Sequence, residues 1–148
     1  MEKTMKTIQF VILTFLFACF VSKVSHSGDF DGSRPLLFSV KSILECTPNG
    51  ESRMVTAEEM EMPQFLIVDC KKMTISPLPP IAGRRDTIIK RMERINGKLF
   101  LQGADGGIEN VRDGVGWTAE ISEDTGRAVV TASGDDVGFV IFGACLPR

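Results

Sequence analysis

Any chemistry in this chain has to be done almost without imidazole and wholly without phenol. Its 148 residues include one histidine, His26, no tyrosine, and four cysteines at positions 19, 46, 70 and 145. A histidine base or metal ligand is confined to one position, and a tyrosine acid is excluded. No G-x-S-x-G elbow, CxxC pair, HExxH helix or calcium loop occurs. Asp105, Glu109 and Asp113 share a Gly-rich stretch and are of the type that ligates Ca²⁺, but their spacing matches no calcium loop. Gly103–Gly107 lacks the lysine of a phosphate-binding loop. A pair of carboxylates suffices for some hydrolases, so a carboxylate-based hydrolase stays as an alternative with no motif to locate it. No catalytic residue, metal ligand or cofactor site is assigned.

Two residues remain as candidate ligand contacts. Trp117 is the only tryptophan and opens a strand directly after a Gly-rich loop. In a barrel that is a mouth position, where an aromatic ring meets a ligand or plugs the end. Arg91 lies in the densest positive run, with Arg84, Arg85, Lys90 and Arg94. Such a run suits lipid head groups or a polysaccharide. Asp86 and Glu93 among the cations make a solvated strand face the plainer reading.

The elements that must position these residues begin after a leader. Lys3 and Lys6 precede the apolar run Ile8–Val21, 14 residues long. A membrane-crossing helix needs about 20 apolar residues, whereas the core of a signal peptide is shorter. Ser25 and Ser27 are small residues placed for cleavage between Ser27 and Gly28. Leu16-Phe17-Ala18-Cys19 offers a competing reading, a lipobox in which Cys19 becomes a lipidated N-terminus. The whole chain has net charge −2 and the 27-residue leader +2, so the remaining 121 residues carry −4 and no histidine. That balance gives no electrostatic reason to seek nucleic acid, and no transmembrane span is expected after the leader. An oxidising destination favours a disulfide. Cys46 and Cys145 end apolar strands and are the expected pair, with Cys70 in an exposed turn.

Gly28–Pro35 reads as a flexible lead-in, and residues 36–148 as one all-β domain. Leu36, Phe38, Val40, Leu44 and Cys46 share a parity that only Ser42 breaks, the pattern of a half-buried strand. Thr56 and Glu59 form a capping-box pattern that predicts one short helix near residues 57–62, stopped by Pro63. Phe65–Ile75 reads as a hairpin turning at Asp69–Lys72. The prolines at 77, 79 and 80 predict a loop over 77–85. Ile88, Ile89, Met92 and Ile95 have helical spacing, yet Asn96-Gly97 follows and predicts a hairpin, which selects strand. Trp117–Ser122 and Arg127–Ala132 alternate cleanly, and Val137–Phe142 is apolar on both faces. The sum is an antiparallel meander of about eight short strands, best closed into a small, closed or partly open β-barrel.

Asn96–Gly103 (NGKLFLQG) and Gly116–Cys145 (GWTAEISEDTGRAVVTASGDDVGFVIFGAC), with the opening FDGSRPLL, resemble small exported bacterial proteins of no assigned activity. The resemblance implies a periplasmic or secreted protein and assigns no functional residue. The expected function is a binding module for a small apolar ligand or a protein partner of the envelope. Small residues at Ala119, Ala128, Ala132 and Gly138 would leave the space for a ligand. The alternative is a solid-cored, structural or envelope-associated barrel that acts through its outer surface.

Overall fold

Residues 29–80, 86–106 and 114–148 are described by a computed structural model. The leader, with His26, Cys19 and the Ser27–Gly28 junction, lies outside the described residues, as do Arg84, Arg85, Glu109 and Asp113.

Nine strands follow one another: β1 (Leu36–Cys46), β2 (Ser52–Val55), β3 (Phe65–Asp69), β4 (Thr74–Leu78), β5 (Thr87–Ile95), β6 (Lys98–Asp105), β7 (Val115–Ser122), β8 (Arg127–Gly134) and β9 (Val137–Pro147). All pairings are antiparallel, and from β3 to β9 each strand pairs with the next. β1 pairs with β9 along one edge and with β3 along the other, which closes an eight-stranded barrel. β2 is the extra strand. It continues the edge begun by β3, pairing Ile43–Cys46 of β1 with Ser52–Val55.

Closure follows from the pattern of side chains. Leu36, Phe38, Val40, Val68, Ile89, Leu99, Leu101, Ala119, Ile121, Ala128, Ile141 and Cys145 are buried and form one core. The parity of β1 breaks where Ser42 broke it in the sequence. The ladder runs Val40↔Gly143 and then Ser42↔Phe142, a bulge at Lys41. Beyond it Ile43 is the fully buried residue and Leu44 turns outward to pair with Val140. The bulge keeps a hydroxyl out of the core at the expense of a one-residue slip.

Asn96 and Gly97 both take positive φ, 51° and 74°, as a two-residue hairpin turn requires. Two local expectations are corrected. β4 extends through Pro77, which pairs with Leu66, although a loop was expected from residue 77. β4 meets β5 only at Thr74 and Ile75, so at Pro77 its second edge carries no ladder that a missing N–H could interrupt.

The expected helix near residues 57–62 is a single turn; among the described residues there is no helix. The capping box forms: Thr56 N–H donates to Glu59 Oε2 at 2.7 Å, and Glu59 N–H to Thr56 Oγ1 at 3.1 Å. The C-terminal cap forms at once as well. Met62 N–H donates to Ala57 O and Glu61 N–H to Glu58 O, with Glu61 at φ 49°. These are the two bonds of a Schellman motif. Start and stop signals lie too close together to leave a helical interior.

Candidate functional site

The interior of the barrel is not filled. A cavity of about 210 Å³ is lined almost entirely by apolar side chains, among them Phe38, Leu66, Leu101, Ile121 and Ile141. Ala119, Ala128 and Ala132 line it as expected; Gly138 is not among its lining residues. Each of these alanines leaves room that a leucine would occupy.

Two aromatic residues could have closed this space, and both lie folded against the wall. Trp117 on β7 stands opposite Gly103 on β6. A Cβ at Gly103 would come within 2.7 Å of the indole Cε2 and 2.6 Å of the Ile88 carbonyl oxygen. Phe38 on β1 lies over Gly143 of β9, where a Cβ would meet the ring Cζ at 2.5 Å. Each ring takes the space of a missing side chain on a neighbouring strand. The middle of the barrel stays open for that reason. Trp117 Nε1 is buried and has no hydrogen-bond partner, with no surface open to the cavity or to solvent.

The polar groups of the lining are few. Thr87, at the start of β5, donates its hydroxyl to Asp105 Oδ2 at the end of β6, at 2.7 Å. Both line the cavity with Val115, Pro77, Met62 and Pro63. These residues stand at strand ends and at the splayed β4–β5 edge, and among the described residues this end of the barrel is the more open one.

The opposite end is closed. Phe30 packs against the core. Gly32, at φ 76°, is placed so that a Cβ would come within 2.8 Å of Cys70 Sγ. Arg94 ties this segment down, donating to Asp31 O at 2.6 Å and pairing with Glu123 at 3.2 Å. Hydrogen bonds from the Ser33 side chain and from its N–H hold the Asp31 carboxyl below its usual range. The residues expected as a flexible lead-in form the floor.

Cys70 and Cys145 lie in that floor, buried rather than in an exposed turn. Only the backbone of the Asp69–Lys72 turn behaves as expected: Asp69 Oδ1 accepts from the N–H groups of Lys71 and Lys72. Burial pushes the Cys145 thiol up to about 12, with Cys70 adding to the shift, and burial also raises Cys70. The expected Cys46–Cys145 disulfide does not form, and the three cysteines among the described residues are free. Cys46 pairs with Gly138 and Cys145 with Phe38, at opposite ends of the β1–β9 ladder. Seven residues of strand separate those rungs by roughly 20 Å, far beyond the reach of a disulfide.

Arg91 is not brought to Trp117. It is 65% exposed and donates to Glu93 Oε1, on the outside of the barrel. Its neighbours are paired too, Arg94 with Glu123 and Lys98 with Glu120. Of the described part of the positive run, Arg91 and Arg94 are ion-paired and Lys90 is exposed. No group of three metal-ligating side chains occurs among the described residues, and no helix there is long and apolar enough to cross a membrane.

What the sequence reading missed is the part of the wall built by prolines and methionine. Pro77, Met62 and Pro63 line the cavity from segments expected as loop or helix. Gly103 and Gly143, glycines within strands, signal instead the close approach of Trp117 and Phe38. Comparison with protein-family models, with curated proteins and with solved structures finds no match to this chain.

Proposed function

We propose that the barrel, once freed of its leader in an exported compartment, binds a small apolar molecule in its interior. The cavity of about 210 Å³, with its nearly continuous apolar lining, carries this reading. A 150 Å³ cavity lined by Leu, Ile and Phe stays dry and takes up benzene. On that scale this cavity suits a ligand of roughly eight to ten non-hydrogen atoms. The second reading, a protein partner on the outer surface, has Met54, Phe142 and Leu146 in its favour, which are exposed apolar residues of β2 and β9.

Trp117 is the only tryptophan, there is no tyrosine, and the indole lines the cavity. Its emission therefore reports on the cavity alone. Butylbenzene titrated into the protein should shift that emission with a dissociation constant on the order of 10–100 µM, from burial of an apolar body of this size. Ala119→Leu, which takes up part of the cavity, should weaken the response severalfold and leave the β-sheet circular dichroism unchanged. An unchanged response in Ala119→Leu would place the bound probe elsewhere and sink the reading.

A further inference from the structure

Independently of the cavity, we propose that the outer face of the β1–β9 seam docks on an anionic lipid surface. β9 carries no charged residue, and Phe142 and Leu146 on its outer face are 43% and 62% exposed. Phe142 stands beside Val129 of β8, and Leu146 beside Leu37 of β1. Met54 of β2, also exposed, continues the apolar face past Leu44. Apolar side chains that adjoin one another on the outside of a barrel mark a place where a partner sits.

Charge narrows the choice of partner. β1, β8 and β9 hold three charged residues, Lys41, Glu45 and Arg127. Glu45 is taken by Arg53 at 2.7 Å. Lys41 and Arg127 are exposed and make no ion pair among the described residues. Lys41 is the bulged residue next to the Ser42↔Phe142 rung, and Arg127 pairs with Ala144. The apolar strip therefore runs between a cation on β1 and a cation on β8. A second copy of this face would bring two more cations to the same contact, whereas an anionic surface would neutralise both.

Shape narrows it further. β1 and β9 belong to a closed eight-stranded barrel, so their outer face is convex. Two convex faces meet along a line and bury much less than the roughly 800 Å² per partner of a stable protein interface. A lipid surface yields instead. Acyl chains close around a projecting Phe, Leu or Met, and anionic head groups reach the flanking cations.

The test follows sedimentation of the full chain with vesicles of phosphatidylcholine and of a phosphatidylcholine–phosphatidylglycerol mixture. Binding should be tighter to the mixture, and Lys41→Glu with Arg127→Glu should weaken it by about ten-fold or more. Location is read in F142W combined with Trp117→Phe, whose one indole lies on the seam. Its emission should shift to the blue on the mixed vesicles, and brominated acyl chains should quench it. Equal binding to both kinds of vesicle, binding unaltered by the charge reversals, or a seam indole that bromine does not quench overturns the proposal. The last result would assign membrane binding to the leader or to another surface. A dimer in lipid-free solution that Phe142→Lys dissociates would give the face to a second copy, and overturns the proposal too.

Discussion

Gly103 and Gly143 are small where a strand prefers a side chain, and each costs sheet stability for that reason. What they provide is room for an aromatic ring from the next strand, Trp117 and Phe38 respectively. Gly97 is small for a different cause: nothing lies within 4 Å of its missing Cβ, and its φ of 74° is the constraint. Among the buried residues, Cys145 has the clearest measurable consequence. Its thiol is raised from an ordinary value of 9.0 to about 12 by burial, with Cys70 beside it. Below pH 9 both folded and unfolded chains keep the proton, and this group leaves stability unchanged. Above it the unfolded chain ionises first, so stability should fall with rising pH, by about 1.4 kcal/mol per unit from this thiol. Urea unfolding at several pH values between 8 and 10.5 checks it against Cys145→Ala. The variant should lose stability less steeply; parallel slopes would show that burial does not hold the proton on this sulfur.

Among elements, the turn between β2 and β3 joins two capping devices back to back. Thr56→Ala removes the N-terminal one and should cost about 1 kcal/mol, read as a lower urea midpoint. Hydrogen bonds from Thr56 also hold the Glu59 carboxyl below its ordinary value of 4.5. Their contribution is present above that pH and lost as pH falls through the lowered value; the Thr56 N–H survives in Thr56→Ala, so Glu59→Ala is the variant that reads it, and its gap from the parent should narrow in acid. An unchanged gap at low pH would mean that the Glu59 half of the box contributes nothing. This turn was half readable in sequence. Thr56 and Glu59 announced its start, but Glu61 in a left-handed conformation announces nothing, because no glycine or asparagine stands there. The strands were readable wherever one face is polar, as in Trp117–Ser122, and Asn96-Gly97 placed a hairpin correctly. Pro77 misled because a strand with one unpaired edge tolerates proline, and edge pairing is a property of the whole sheet. Of the site, Trp117 and three alanines could be named from the sequence. Arg91 could not be placed, since a one-residue bulge at Lys90, between the pairs Ile89↔Gly103 and Arg91↔Gln102, governs the register there.

For the whole molecule, the two ends of the barrel do different work. One is sealed by residues 29–35 over two buried thiols; the other is ringed by strand ends that carry Thr87 and Asp105. Removing Phe30, which packs on the core but does not line the cavity, should lower stability while leaving butylbenzene binding within a few-fold of the parent. The seam that closes the barrel is the longest ladder in the sheet, from Leu36↔Pro147 to Cys46↔Gly138. Arg148 N–H extends it by donating to Pro35 O at 2.9 Å. Strands about a hundred positions apart in sequence are thus immediate neighbours in space. Considered as a path, the chain is a ring with one cut, and the place of the cut is arbitrary. Joining Arg148 to Asp29 by a glycine-rich linker and opening the chain at the Asp135-Asp136 turn makes the β1–β9 seam local and turns the β8–β9 ladder into the distant closure. Such a permutant should fold to the same barrel and refold within a few-fold of the parent rate, because one distant closure replaces another. Stopped-flow emission of Trp117 would time both, and a permutant faster by about ten-fold or more would mean that the β1–β9 seam itself, and not closure of the ring as such, limits folding.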